Sequence, residues 1–127
     1  MQKTLVLFDV DGTLTESSKP IDDGMSALLT KLASMAEIGI VGGGTFNKVL
    51  NQLKHHPLIT HYFSECGSVY FKLNNNKFTE VYKKDIKLHP TYKNIQKLIK
   101  VALHFLSTVD YNLSGHLVDI RSGIVYR

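Results

Sequence analysis

Asp9 and Asp11 stand two residues apart, behind the apolar run Leu5-Val6-Leu7-Phe8 and ahead of Gly12-Thr13-Leu14-Thr15. Two carboxylates this close repel each other and favour a hard divalent cation such as Mg²⁺ between them. A carboxylate nucleophile splits a group transfer into two easier steps, and a second carboxylate can move the proton as general acid or base. The pattern reads as a nucleophile, Asp9, and an acid/base, Asp11, sharing a Mg²⁺ site. Backbone N–H groups around Val10 and Gly12 would cradle anionic oxygens, with Gly12 permitting the turn and Thr13 holding the loop by a hydrogen bond. A calcium loop of the EF-hand kind needs Gly at its sixth position and Glu at its twelfth. Counted from Asp9 those are Leu14 and Pro20, which excludes it. A plain Asp-Gly reversal would leave the apolar run, the second Asp and Thr13 unexplained together.

The elements that must position these groups follow an alternating order. Thr4–Phe8 is expected as a strand of a parallel sheet, buried on both faces, which presents charge first at its carboxyl end, where open α/β sheets bind ligands. Pro20 then precedes a helix over Asp22–Met35, with Asp22 as cap and apolar residues at Ile21, Met25, Leu28, Leu29, Leu32 and Met35. Glu37–Val41 is a second strand, Thr45–Leu53 a second helix and Thr60–Phe63 a third strand. This β-α-β-α-β order implies right-handed crossovers in a parallel sheet. Between the second strand and second helix lies Gly42-Gly43-Gly44-Thr45. Glycines let a phosphate approach the backbone beside a helix start, so Gly43, Gly44 and Thr45 are candidate phosphate-binding residues; a tight turn is the plainer reading.

From Ser64 the rhythm changes. Val69–Leu73 and Phe78–Tyr82 flank Asn74-Asn75-Asn76-Lys77, a hairpin signal built on residues that tolerate positive φ. Pro90 precedes a long helix, Tyr92–Leu106, whose stripe of Ile95, Leu98, Ile99, Ala102, Leu103 and Leu106 is expected to be buried. Leu117–Ile120 and Ile124–Tyr126 read as strands joined through Arg121-Ser122-Gly123. A boundary between two domains is expected near Tyr82–Pro90, dividing residues 1–84 from 85–127. His55, His56 and His61 read as loop histidines rather than metal ligands, since adjacent residues point apart and Pro57 breaks the segment. Cys66 reads as a buried small residue rather than a nucleophile.

Composition is that of a folded globular domain, with 43% hydrophobic and 20% charged residues. The leading apolar run is too short for a secretory signal or a membrane span, and one cysteine cannot pair internally. A cytoplasmic protein is expected, with no membrane partner. The net charge of +4 is modest and its lysines are spread along the chain, so no nucleic-acid partner is expected either. There are no internal repeats.

Asp9-Val10-Asp11-Gly12-Thr13 resembles the first motif of the haloacid dehalogenase superfamily of phosphotransferases. The resemblance continues through Ile38-Gly39-Ile40-Val41-Gly42-Gly43, Phe46, Lys48, Gln52-Leu53, Glu65, Gly67 and Arg121 with Gly123, in the order and spacing of eukaryotic-type phosphomannomutases. It spans essentially the whole chain and the first half or so of that family's length. It implies a Rossmann-like haloacid dehalogenase core over residues 1–84, followed by the first part of an α+β cap domain over 85–127.

The resemblance further implies interconversion of mannose 6-phosphate and mannose 1-phosphate for GDP-mannose supply, through an aspartyl phosphate on Asp9, with Mg²⁺ as cofactor. A hexose 1,6-bisphosphate would serve as activator, a hexose phosphate as substrate, and the cap as a homodimer contact. Arg121 matches a cap arginine that binds substrate phosphate. Three positions depart from the family pattern: Ser18 replaces an Arg, with Lys19 adjacent to supply charge without the bidentate fork; Gly44-Thr45 replaces Ser-Asp; and Cys66 replaces an Asn. The family also draws a Lys, an acidic pair and further sheet strands from its second half. Two other readings stay open: a sugar-phosphate phosphatase of the same superfamily, and a non-catalytic piece that binds sugar phosphate or pairs with another subunit.

Overall fold

A computed structural model describes residues 4–110, together with the backbone of 117–120 and 123–126. The chain divides into two compact units, Met1–Lys83 and Lys84–Arg127. The first is a five-stranded sheet in the order β1 (Leu5–Phe8), β2 (Glu37–Val41), β3 (Ile59–Ser64), β4 (Val69–Asn74) and β5 (Lys77–Lys83). β1, β2 and β3 run parallel, and β4 and β5 extend the sheet antiparallel from β3. The β4–β5 hairpin turns on Asn75 and Asn76, with φ of 48° and 60°; Asn is the residue other than Gly that best tolerates this region.

Two helices make the parallel crossovers. In α1 (Asp23–Leu32), the Asp22 carboxylate caps the first turn by accepting from the Met25 N–H at 2.7 Å. In α2 (Phe46–Gln52), Thr45 is the cap. Leu29 of α1 and Val49 and Leu50 of α2 share one buried cluster with Ile38, Ile40 and Tyr62 of the sheet, so both helices cover the same face. Each such buried aliphatic stabilises by about 1.5–3 kcal/mol. Phe46 stacks on Phe71 with ring centroids 4.0 Å apart and meets Phe78 edge-on at 5.0 Å, which fixes the start of α2 over the hairpin strands. At Gly39 a methyl group would stand 2.6 Å from Leu7 Cδ2 and 3.0 Å from His61 Cβ, so any side chain there would have to displace the half-exposed Leu7 and press on His61.

β1 corrects the sequence expectation of burial on both faces. It is the edge of the sheet among the described residues, and Leu5 and Leu7 are 42% and 50% exposed. Only β2 pairs with it, and both helices lie on the opposite face from these leucines. On the same face as Leu7, His61 of β3 joins three strands: its Nδ1 meets the Tyr70 hydroxyl at 2.7 Å and its Nε2 the Glu37 carboxylate at 2.9 Å.

The second unit contains α3 (Tyr92–Thr108) and a two-stranded ribbon of β6 (Leu117–Ile120) with β7 (Gly123–Tyr126). The expected buried stripe of α3 is not buried: Leu98 is 68% and Leu103 44% exposed, and Ile95, Ile99 and Leu106 are only half-buried. Among the described residues the element packed against this helix of 17 residues is the short turn at Ile86–Leu88. Among the described residues no helix is long and apolar enough to cross a membrane.

Candidate active site

Asp9 is exposed at the carboxyl end of β1, and the chain curls immediately after it. The Val10 carbonyl accepts from the N–H groups of Thr13, Leu14 and Thr15 at 3.2, 2.9 and 3.1 Å. Gly12 closes the curl by donating to the Thr15 carbonyl at 2.7 Å, with a φ of 76° that glycine adopts without strain. Val10 and Leu14 are buried, whereas Asp9, Asp11, Gly12 and Thr13 are exposed. Two apolar anchors thus hold the loop down while its polar residues face solvent.

Both oxygens of the acid/base candidate are not equivalent. Asp11 Oδ1 accepts from the Ser18 N–H at 2.9 Å and from Gln52 Nε2 at 2.7 Å. The same Gln52 nitrogen donates to Thr15 Oγ1 at 2.9 Å.

The glycine loop lies against the nucleophile. A methyl at Gly42 would stand 4.0 Å from Asp9 Oδ1 and 3.9 Å from Val10 Cγ2. The loop is tied to the turn after β3, since the Gly42 and Gly44 carbonyls accept from the Cys66 and Glu65 N–H groups at 2.9 and 3.0 Å. Thr45 Oγ1 accepts from the Lys48 N–H at 3.4 Å, so this hydroxyl caps α2 and has its hydrogen to offer an anion.

Other candidates fall elsewhere. Lys19 pairs with Glu16 across one turn, and both side chains are exposed. Arg121 lies outside the described residues. Cys66 is exposed rather than buried, because it sits in a left-handed turn, φ 57°, that carries the chain out of the sheet after β3. Among the described residues no group of three His, Cys, Asp or Glu side chains could hold a metal. His56 is buried and reaches the Ser26 carbonyl at 3.3 Å, and His55 meets Asn51 at 3.0 Å. A half-open cavity of about 200 Å³ beyond Thr45 is lined by Phe46, Asn47, Glu65, Glu80 and Lys83 among others, and includes none of the residues from Asp9 to Thr13. Two features escaped sequence reasoning: Gln52, because its contact with Asp11 bridges 41 positions, and Gly42, because only the β1–β2 pairing brings it to Asp9.

The mixed sheet with its three parallel strands, the helices on one face and the acidic loop behind β1 give an α/β core with a haloacid dehalogenase-like fold. Solved structures agree on that fold: Plasmodium falciparum IMP-nucleotidase superposes with a TM-score of 0.68 at 20% identity, over 96% of this chain and 38% of that one. A haloalkanoate-superfamily phosphatase from Bacteroides thetaiotaomicron gives 0.62 at 18% identity, over 96% of this chain and 40% of that one. The family model described as eukaryotic phosphomannomutase matches residues 25–126, and the chain belongs to that family. Phosphomannomutase 2 of Dictyostelium discoideum is 34% identical over 98% of this chain and 49% of its own length. Phosphomannomutase 1 of Homo sapiens is 31% identical over 98% of this chain and 48% of its own. The chain therefore spans about half the length of the curated relatives it matches.

Proposed function

We propose that the protein takes part in a phosphomannomutase reaction, interconverting mannose 6-phosphate and mannose 1-phosphate in the cytoplasm. The observation that carries this reading is the placement of Asp9 between the curled acidic loop and the glycine loop at Gly42, in a chain of this family. A carboxylate oxygen of Asp9 attacks the phosphorus of a hexose 1,6-bisphosphate. As that bond forms, the ester bond to the sugar oxygen breaks and Asp11 gives the leaving oxygen its proton. In the second half Asp11 takes the proton from a hydroxyl of the bound sugar, which attacks the aspartyl phosphate and frees Asp9. The backbone at Val10 and Asp11, with Gly43, Gly44 and Thr45, holds the phosphoryl oxygens, while the Gly12 and Thr13 N–H groups are engaged inside the loop by the Thr15 and Val10 carbonyls. Lys19 and Arg121 bring charge to the substrate. The first unit is the core and the second the beginning of a cap through which two copies pair.

The donors fit Mg²⁺ in part. Asp9 and Asp11 supply hard oxygens, and with no third carboxylate among the described residues the ion would keep most of its water. When bound, it neutralises charge on the transferring phosphoryl oxygens.

A second reading is hexose-phosphate binding without turnover, with the glycine loop beside Asp9 and the Thr45 hydroxyl holding the phosphate. A coupled mutase assay with Mg²⁺ and hexose 1,6-bisphosphate separates the two. Mannose 1-phosphate consumption that Asp9→Asn abolishes supports the mutase. Saturable sugar-phosphate binding with no turnover supports the second reading, and equal turnover in both chains overturns the role of Asp9.

A further inference from the structure

Gln52 brackets the acidic loop from outside. It is the last residue of α2, and its main-chain carbonyl accepts from the Ile21 N–H at 2.9 Å. Its side-chain nitrogen has two hydrogens, one for Asp11 Oδ1 at 2.7 Å and one for Thr15 Oγ1 at 2.9 Å. The orientation of this amide is fixed by chemistry, because an ionised carboxylate only accepts and must face the nitrogen rather than the oxygen. Thr15 then passes its own hydrogen to the Val10 carbonyl at 3.5 Å, the acceptor around which the loop curls. A single amide thus meets both the acid/base and the loop that carries it. The helix to which it belongs starts at the glycine loop beside Asp9, so about two turns of helix span from the phosphate-binding residues to the acid/base.

We propose that Gln52 is a positioning residue for the phosphoryl transfer. This inference rests on the reading of Asp11 as acid/base. Gln52 and the Ser18 N–H make Asp11 Oδ1 a double acceptor, which sets the plane of the carboxylate. Thr15 and Ile21 tie the same residue to the loop, so the carboxylate cannot rotate away without releasing Gln52. Misplacing a catalytic group by about 1 Å costs on the order of a hundredfold in rate, which is the scale on which such a clamp acts.

The discriminating variant is Gln52→Glu, which keeps size and shape but puts an acceptor where the donor stood. Its side chain repels Asp11 instead of holding it, while helix packing is retained. The measurement is ¹³C relaxation at the Asp11 side chain by NMR on the full 127-residue chain, with the Ile40 methyl signals as a check on the fold. Asp11 is expected to be ordered in the wild type and mobile in Gln52→Glu, with Ile40 unchanged. Thr15→Val is expected to leave Asp11 ordered, because its contact with Gln52 survives. An Asp11 as ordered in Gln52→Glu as in the wild type overturns the proposal. So does a Thr15→Val chain whose Asp11 is as mobile as in Gln52→Glu. In the mutase assay the same Gln52→Glu change is expected to lower kcat about ten- to a hundredfold with KM unchanged. A wild-type chain without turnover counts against the mutase reading, while the Asp11 relaxation still decides the role of Gln52.

Discussion

Gly42 forms the wall behind Asp9: a methyl group at Gly42 would lie 4.0 Å from Asp9 Oδ1. The closeness follows from the parallel pairing of β1 with β2, which carries both strands to the same edge and turns both chains there. Room at position 42 is therefore room for whatever approaches the Asp9 carboxylate.

Gly42→Val fills that room with branched carbon while leaving the backbone hydrogen bonds of the loop in place. Mutase activity is expected to fall about a hundredfold or more, the cost of displacing reacting atoms by roughly an ångström. Thermal stability is expected to stay within a few degrees of wild type, since position 42 is outside the buried cluster. A Gly42→Val chain with wild-type kcat/KM would show that phosphoryl groups reach Asp9 from another side.

Phe46 links the glycine loop to the hairpin, through ring contacts with Phe71, Phe78 and Tyr62 at 4.0, 5.0 and 5.6 Å. Removing it in Phe46→Ala is expected to cost about 3 kcal/mol, toward the low end for a buried aromatic because the ring is only half-buried. Urea unfolding followed by circular dichroism measures this. Phe46→Leu, which keeps much of the apolar volume, is expected to recover more than half of the loss. A loss below about 1 kcal/mol in the alanine variant would mean that α2 is held by Val49, Leu50 and Leu53 alone.

Most of the local architecture was legible in the sequence, because it is written in local patterns. The Asp22 cap, the asparagines of the hairpin turn and the short apolar run of β2 each need only neighbouring residues to be read, whereas Thr45, read as part of the second helix, proves to be its cap. What was not legible depends on order in space. Leu5 and Leu7 look like core residues until the sheet order makes β1 an edge among the described residues, and Leu98 and Leu103 of the α3 stripe look buried until the folded chain leaves them exposed. The acidic loop was readable because Asp9, Asp11 and Gly12 are contiguous. Gln52 matched the family pattern without disclosing a role, since only the folded chain sets its amide against Asp11. Cys66 misled for a local reason: a left-handed turn at Glu65, Cys66 and Gly67, with φ of 50°, 57° and 81°, has no signature beyond the one glycine.

Two tyrosines make stability fall in alkali. Burial holds the Tyr62 hydroxyl well above the usual phenol range, and this hydroxyl has no hydrogen-bond partner among the described residues. Tyr70 is raised less, by burial first and then by the nearby Glu37 and Tyr82. In the unfolded chain both ionise near pH 10. The unfolded state then binds fewer protons than the folded one, so stability must fall as pH rises from about 10 and is unaffected below that. Denaturant midpoints at pH 8 and pH 11 measure the fall, and running Tyr62→Phe beside the wild type cancels what the rest of the chain contributes. At pH 8 the variant is expected to be as stable as the wild type or up to about 1 kcal/mol more so, because it removes a buried hydroxyl without a partner. Between pH 8 and pH 11 the wild type is expected to lose more stability than Tyr62→Phe. Parallel losses in the two chains would mean that the Tyr62 hydroxyl reaches water in the folded state, which its burial in the core cluster argues against.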